Sequence, residues 1–431
     1  MAPEVIGLLS IVLLLILLGL GMWIGAATAI AGAIGMIAIR GFGQAALLVE
    51  MLPYNTVVDY SLTVIPMFGL MGMIIANTGI GSDMYDSAYK WIGWTRGGLA
   101  SATVLACGGM GAITGASTAG IMVLSKIALP EMRKYKYSDI LSFGSIAAGA
   151  TVSVLIPPSI PFIIYGIMTE TGVGQLFIAG IIPGLLSVTA YMALVYILCL
   201  RNPSMGPAGE KTSFKEKILS LKGVWPILFL FILVIGGIYG GVFTSTEAGA
   251  IGAIGAILIS IVTRRITLKS FYDSVVETGK MTGIIITVMI GVELFSQLMT
   301  VSRIPQWIGE FIVGLGIPTY GVLAALALVY LVMGCLMPAP AIIMLTMPIL
   351  FPVVSALGVN PIWFGVLVVK LCEIGSITPP VGINCLLMSG VTRVSVTKIY
   401  KASLPFLISD LAVVVILMAF PVLSTFLPSL M

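Results

Sequence analysis

Long apolar stretches follow one another along almost the whole chain of 431 residues. A helix needs roughly 20 apolar residues to cross a hydrocarbon layer about 30 Å thick. Charged residues make up only 9% of the chain, against about a quarter in soluble domains. The sequence therefore predicts an all-α polytopic membrane protein. On the length criterion, its spans are predicted near 5–22, 23–39, 61–79, 141–168, 175–200, 224–241, 245–262, 282–300, 362–390 and 404–428.

Several chemistries are excluded by the residues that the chain lacks. It contains no His, which removes a Ser-His triad, an imidazole metal site and a histidine proton relay. The five Cys lie within apolar stretches without a CxxC pair, so we interpret them as small apolar residues. The GxxxxGK[ST] phosphate loop is absent, which excludes ATP hydrolysis of that kind. We expect no enzymatic activity and no nucleic-acid binding.

Two further apolar stretches, 97–130 and 320–357, are too long for one span and are interrupted by small residues and Pro. Each is predicted to form a re-entrant hairpin, in which two short helices enter the membrane, turn and leave on the same side. The most polar stretch, 201–223, is predicted to be a central linker. Amphipathic character predicts helices in the membrane interface near 41–58, 82–95 and 266–281.

Positive charges indicate the orientation of these segments. Lys and Arg concentrate in the cytoplasmic loops of membrane proteins, which places 201–223 in the cytoplasm. With that orientation, every Lys and Arg lies on the cytoplasmic side except Arg40, Arg303 and the intramembrane Lys370. The first hairpin then opens to the cytoplasm and the second to the opposite side. Both chain termini are predicted to lie outside the cytoplasm.

The order of elements in residues 1–200 recurs in residues 224–431 with the opposite orientation. In both halves a hairpin is followed by a long span that contains a Pro-Pro pair, and the pair at 157–158 precedes the pair at 379–380 by 222 residues. Two halves of opposite orientation are the inverted-repeat plan of secondary transporters, whose sites lie at the midplane where broken helices meet. The sequence therefore predicts two five-span halves, each with one hairpin, and alternating access rather than a channel.

Three polar clusters lie at these breaks. The first hairpin has its tip at 113–119, and the segment 150–153 leads into the first Pro-Pro pair. The third cluster, 373–380, is expected to face the second hairpin tip at 334–340. Pro frees the carbonyl one turn earlier, so a helix broken there offers oxygens at membrane depth. Small residues in membrane helices also simply permit close packing, but the repetition of tip and broken helix in both halves favours a binding role.

Ionisable residues within the spans are costly, by at least about 2.5–3.5 kcal/mol at the bilayer centre. Lys370 and Glu373 are three residues apart on one predicted helix and could neutralise each other. Glu373 could instead serve at a cation or gating position, and the sequence leaves both interpretations open. Glu293 lies mid-span without a partner nearby in sequence. Glu247 follows Thr244, which predicts a capping box at a helix start.

Three strings in this order and spacing resemble one family. They are LIPPSIPFIIYG at 155–166, FTSTEAGAIGA at 243–253 and EIGSITPPVGIN at 373–384. They are similar to the large membrane subunit of tripartite ATP-independent periplasmic (TRAP) transporters, the DctM-like permease, and the resemblance covers essentially the whole chain. The first hairpin tip departs from the Gly-Ser turn that is common in the family, because Gly115 is followed by Ala116 and Ser117.

This resemblance implies an elevator-type secondary transporter in a bacterial inner membrane, with a scaffold domain and a mobile transport domain. It implies two partners, a small four-helix membrane subunit and a soluble periplasmic protein that captures the substrate. The substrate would be a carboxylate such as a C4-dicarboxylate or a sialic acid, and uptake would be driven by sodium. A stand-alone cation-coupled anion transporter of the same broad fold is the alternative.

By analogy with that family, sodium would lie between each hairpin tip and the facing broken helix, and the anion would lie between the two tips. The candidate sodium-binding residues are Thr114, Gly115, Ser117, Thr118, Thr151, Ser153, Gly334, Met337, Gly375, Ser376 and Thr378. The candidate substrate-binding residues are Ala116, Pro157, Pro158, Ser159, Pro338, Ala339, Pro379, Pro380 and Asn384. The candidate gating or ion-pair residues are Lys370 and Glu373.

Overall fold

The computed structural model describes residues 2–431, and this part of the chain is folded into helices joined by short turns. Eight helical segments within it are long and apolar enough to cross a membrane, which confirms the polytopic α-helical fold. The helices are α1 Pro3–Gly19, α2 Ile24–Arg40, α3 Phe42–Val58, α4 Val64–Asn77, α5 Ile80–Ile92, α6 Gly98–Thr114, α7 Ser117–Lys134, α8 Asp139–Val152, α9 Ile160–Thr169, α10 Val173–Arg201, α11 Phe214–Tyr239, α12 Ser245–Val262, α13 Leu268–Ser302, α14 Ile304–Gly314, α15 Thr319–Leu336, α16 Ala339–Ala356, α17 Pro361–Gly375, α18 Ile383–Thr392, α19 Val396–Ala419 and α20 Val422–Thr425.

Both long Pro-containing spans are divided into two helices, as the Pro-Pro pairs predict. The predicted span 141–168 consists of α8 and α9, and the predicted span 362–390 consists of α17 and α18. Each stretch predicted as a hairpin contains two helices with a short turn, α6 with α7 and α15 with α16. In both halves of the chain a hairpin is therefore followed by a broken helix and then by a long helix, α10 or α19.

The structure differs from several predicted bounds, and two of these differences concern whole segments. The predicted linker 201–223 is helical from Phe214 onward, because Ser213 and Glu216 form a capping box that starts α11 early. The predicted interfacial segment 266–281 is not a separate helix but the first part of the 35-residue α13. No Pro occurs between the ends of α13, so nothing in its backbone chemistry forces a break.

The capping box predicted at Glu247 is present. The Thr244 N–H donates to Glu247 Oε2 at 2.8 Å, and the Glu247 N–H donates to Thr244 Oγ1 at 3.3 Å. These bonds satisfy backbone donors that the first turn of α12 would otherwise leave open. Glu247 therefore acts at a helix start.

Buried apolar side chains form three clusters. One is built around α6, α7, α8, α10, α18 and α19. The largest is built around α4, α9, α11, α12, α13, α15, α16 and α17. A third, smaller cluster joins α1, α2 and α13. The broken helices connect the first two clusters, because α8 contributes to the first, whereas α9 and α17 contribute to the second.

The short connection between α10 and α11, residues 202–213, lies across the base of the first hairpin. The Gly97 N–H donates to the Gly206 carbonyl at 2.9 Å, and the Ser138 N–H donates to the Met205 carbonyl at 2.8 Å. The Tyr137 hydroxyl accepts from the Leu99 N–H at 3.3 Å and donates to the Pro207 carbonyl at 2.8 Å. Burial raises the pKa of Tyr137, so its hydroxyl remains a neutral donor at physiological pH.

Replacing Tyr137 by Phe is expected to lower the stability of the folded protein. The change leaves the Leu99 N–H and the Pro207 carbonyl without this partner, at a cost of about 1–3 kcal/mol. Thermal unfolding of the purified protein measures the effect, with the exposed Tyr54 changed to Phe as the control. Equal thermal midpoints for the two variants would show that the Tyr137 hydroxyl does not stabilise the connection at 202–213.

Candidate functional site

The tip of the first hairpin packs against the first helix break, residues 153–159. α6 ends at Thr114, Gly115 turns the chain with φ +59°, and α7 begins at Ser117. The Ile160 N–H donates to the Gly115 carbonyl at 3.5 Å. A Cβ at Gly115 would lie 2.5 Å from the Pro158 oxygen. Only glycine combines this backbone conformation with so close an approach.

The first break is buried. Pro157 and Pro158 are joined by a cis peptide bond and are buried with Ser159. Ser159 caps α9 by accepting from the Phe162 N–H at 3.4 Å. Candidate hydroxyls beside the break bond to their own helix, Thr151 to the Ala148 carbonyl and Ser153 to the Ala150 carbonyl. Ala116 is partly buried and Thr118 is exposed, so Thr118 does not join the other candidates at the break.

The tip of the second hairpin packs in the same way against the second break, residues 376–382. The Gly382 N–H donates to the Cys335 carbonyl at 3.0 Å, and Cys335 Sγ lies 3.5 Å from the Pro379 carbonyl oxygen. A Cβ at Gly334 would lie 2.8 Å from the Gly375 Cα. Pro379 and Pro380 are again joined by a cis peptide bond. Each tip thus lies against the broken helix of its own half.

The two breaks differ in exposure. Pro379 and Pro380 are exposed, as is Pro338 at the facing tip, whereas Ala339 is buried and Met337 is partly buried. In the first half the corresponding Pro-Pro pair is buried. The Pro-Pro pair is therefore enclosed at the first break and exposed at the second.

The two halves also contact each other, through α7 with α18 and α9 with α16. The Ser117 hydroxyl donates to Asn384 Oδ1 at 3.4 Å. The Asn384 side-chain amide donates to Ser376 Oγ at 2.7 Å, and the Ser376 hydroxyl donates to the Glu373 carbonyl at 2.5 Å. The Thr378 hydroxyl donates to the Ile374 carbonyl at 2.7 Å. Ser117, from the first hairpin, thus belongs to a polar cluster of the second half.

The predicted pairing of Lys370 with Glu373 is wrong. Lys370 Nζ lies 2.5 Å from Asp410 Oδ1, and both side chains are fully buried. The Lys370 ammonium also lies 5.8 Å from the centre of the Tyr191 ring, and the Tyr191 hydroxyl is 3.2 Å from Thr151 Oγ1. The pair links α17 to α19, and Tyr191 and Thr151 extend the polar contacts to α8. Asp410 is an acidic residue in the middle of an apolar helix, which is the signal that could have identified it from the sequence.

The interpretation of Glu293 as lacking a sequence-near partner is also wrong. Gln297, one turn later on α13, donates its amide to Glu293 Oε1 at 3.1 Å. The side chain is partly buried. A neutral donor therefore satisfies one of its oxygens within the same helix.

The two helix breaks offer groups suited to a cation and to an anion, although no basic side chain is present for the anion. At each break the helix ends leave backbone carbonyls, which coordinate alkali cations in broken transporter helices. The second half-helices α9 and α18 point their N-termini toward the breaks, and helix N-termini attract anions. Neither break, 153–159 or 376–382, contains Arg or Lys.

Comparison with known proteins matches this chain to characterised transporters. The family model described as "Tripartite ATP-independent periplasmic transporter, DctM component" matches residues 11–423. The C4-dicarboxylate TRAP transporter large permease protein DctM of Pseudomonas aeruginosa is 35% identical over 378 residues, which cover 87% of this chain and 88% of that protein. The isethionate TRAP transporter permease protein DctMQ of Oleidesulfovibrio alaskensis is 32% identical over 381 residues, covering 88% of this chain and 60% of that protein.

A solved structure shares the fold at low sequence identity. The YdaH transporter of Alcanivorax borkumensis superposes with a TM-score of 0.64 at 14% identity, covering 96% of this chain and 98% of that one. At this identity the likeness concerns the path of the backbone alone. The overall fold described above is therefore shared with a protein of very different sequence.

Proposed function

This chain belongs to the DctM-component family of tripartite ATP-independent periplasmic transporters, and we propose that it moves a small organic anion, a carboxylate or a close analogue, into the cell together with sodium. The observation that carries this proposal is the double tip-and-break arrangement. In both halves a hairpin tip lies against a helix break, where carbonyl oxygens and a half-helix N-terminus lie close together. Oxygen ligands suit sodium, and helix N-termini suit an anion.

The absence of basic side chains at the breaks predicts weak binding of the anion, as a transporter that must release its substrate requires. The breaks contain no Arg or Lys, so a carboxylate would be held by backbone N–H groups, by side chains such as Ser159, and by bound sodium. Relatives are named for C4-dicarboxylate and for isethionate, and both of these molecules are small organic anions. The substrate class proposed here follows from this shared chemistry.

The proposed assembly contains a small membrane subunit and a periplasmic substrate-binding protein. Large apolar side chains on α1, α11 and α12, among them Leu15, Ile232 and Val262, are exposed and could contact lipid or a second subunit. A relative of greater length carries the name DctMQ. The inner membrane is the proposed location, with both termini periplasmic, and the hairpins and broken helices are the proposed mobile part of an elevator.

Sodium should stabilise the purified protein against thermal unfolding, and potassium or choline should not. A site that binds only the folded state adds about 2.7 kcal/mol at a ligand concentration one hundred times its dissociation constant. Ser117→Ala and Thr378→Val should weaken this sodium response. Thr189→Val is the matched control, because its hydroxyl makes the same bond to the carbonyl four residues earlier but is exposed on α10. A wild-type protein with identical midpoints in all three salts would refute sodium coupling.

Transport itself is tested in proteoliposomes that contain this chain and its membrane partner, with the periplasmic protein added outside. An inward sodium gradient should drive accumulation of the radiolabelled anion, and uptake should depend on the binding protein. Uptake that persists without the binding protein or the small subunit would favour a stand-alone transporter.

A further inference from the structure

Glu373 is a buried carboxylate without a counter-charge. Its side chain is 4% exposed, near the end of α17, and Oε2 has no hydrogen-bond partner among residues 2–431. In the same part of the chain it forms no ion pair with a Lys or Arg side chain. Charges removed from water cost several kcal/mol each unless a partner compensates them. A group of this kind requires an explanation.

The nearest basic side chain is already paired. Lys370 lies one turn earlier on α17, and its ammonium contacts Asp410 of α19. The other ionisable groups near Glu373 are Asp410 itself, Tyr191 of α10 and the neighbouring Cys372. Since the charges of Lys370 and Asp410 cancel, the ionised form of Glu373 gives the buried cluster one net negative charge.

Two neutral polar side chains lie beside this carboxylate. The Ser117 hydroxyl and the Asn384 side chain are adjacent to it. The Asn384 amide nitrogen is bound to Ser376 Oγ at 2.7 Å, which turns Oδ1 toward Ser117. The Ser117–Asn384 bond is long, at 3.4 Å, so a cation could replace it at little cost. Carboxylate, amide and hydroxyl oxygens are a donor set suited to a hard cation.

The first half of the chain has no equivalent of this charged group. The residue 222 positions before Glu373 is Thr151, and the residue 222 positions before Asn384 is Phe162. The Thr151 hydroxyl is already engaged by the Ala148 carbonyl and by Tyr191. The two halves therefore share the broken-helix geometry but not the chemistry next to it.

We propose that Glu373 directly ligates a monovalent cation where α7, α17 and α18 meet, with Ser117 and Asn384 as further ligands. The inference rests on sodium as the proposed coupling ion, and it assigns that ion a charged position formed by both halves of the chain. The first break has only neutral oxygens, so the site at Glu373 is the tighter of the two. Because Ser117 belongs to the first hairpin and Asn384 to α18, cation binding here draws the two halves together.

The test is a sodium titration of thermal stability in the full-length protein, with choline chloride keeping the ionic strength constant. Glu373→Gln preserves the shape of the side chain but removes its charge. The variant should be at least as stable as the wild type without sodium, because the uncompensated charge is gone. The sodium concentration needed for half of the stabilisation should rise by at least about 10- to 100-fold, because loss of an outer-shell group alone costs that much and Glu373 is proposed as a direct ligand.

Two further variants make the outcome specific. Glu293→Gln removes a partly buried carboxylate on α13 that accepts a hydrogen bond from Gln297 of the same helix, and it should leave the sodium titration unchanged. Glu373→Asp keeps the charge on a shorter arm, and it should retain a sodium response and change the preference between lithium and sodium. Glu373→Asp also tests the assignment of Glu373 if Glu373→Gln fails to fold.

The outcomes separate this inference from the proposed function. A wild-type protein without any sodium response refutes sodium coupling itself. A wild-type response that Glu373→Gln reproduces at the same sodium concentrations overturns only the assignment of Glu373. A Gln variant that is destabilised without sodium but titrates normally would show a structural role and would also overturn it.

Discussion

Asp410→Leu is expected to destabilise the folded protein by about 3–5 kcal/mol, the cost of leaving a buried charge unpaired. The Lys370 ammonium is fully buried, and its ion-pair partner in residues 2–431 is Asp410. The loss should appear as a large fall of the thermal midpoint and of the yield of folded protein. A matched surface change, Asp86→Ala, removes the exposed helical pair with Lys90 and should cost only about 0.3–0.5 kcal/mol.

The double variant Lys370→Met with Asp410→Leu should recover most of that stability. Replacing a buried ion pair by apolar residues of similar volume is often neutral or stabilising. Uptake by the double variant then separates two roles of the pair. A stable and active protein would show that the pair is structural, whereas a stable and inactive one would show that the charges act in the transport cycle. A double variant as unstable as Asp410→Leu alone would contradict the pairing.

The second large effect is expected for Gly115→Ala at the first hairpin tip. The added methyl group would meet the Pro158 carbonyl oxygen at 2.5 Å, and Gly115 has a φ of +59°. The left-handed conformation costs roughly 1–2 kcal/mol for a residue with a Cβ. The clash adds to this cost and can be relieved only by moving the tip away from the break. We expect a lower thermal midpoint, a sodium response weakened about tenfold or more, and loss of uptake.

Gly358→Ala is the control for backbone strain. Gly358 has a φ of +70° in the turn after the second hairpin, and nothing lies within 4 Å of the position of its Cβ. The variant should show a similar loss of stability from the conformation alone, with normal uptake and a normal sodium response. If both Gly variants behaved alike in uptake, the contact between Gly115 and the first break would have no role in transport.

Local chemistry explains which parts of the fold could be predicted from the sequence. The Pro-Pro pairs at 157–158 and 379–380 remove backbone donors, so the two helix breaks follow from the residues at the breaks themselves. The hairpins follow from small residues and Pro at the turns of long apolar stretches. The start of α11 at Phe214 was missed, although the capping box of Ser213 and Glu216 is also a local signal.

The pairing of distant residues could not be predicted in this way. Asp410 follows Lys370 by 40 positions, and Asn384 follows Ser117 by 267, so only the packing of the helices brings either pair together. Glu373 is closer in sequence to Lys370 than Asp410 is. Distance along the chain therefore favoured Glu373 as the partner, whereas the structure pairs Lys370 with Asp410. The continuity of α13 also depends on packing, because its glycines would tolerate a break that the structure does not make.

The connection at 202–213 has a consequence for the range of motion within the molecule. A chain of about 12 residues, fully extended, reaches roughly 40 Å. Its covalent length therefore allows α10 to travel far from α11 without stretching any bond. The hydrogen bonds that Gly206 and Pro207 accept hold the connection at the hairpin base, so these bonds must break before the connection can extend. The number of residues in the connection then sets the limit of the displacement.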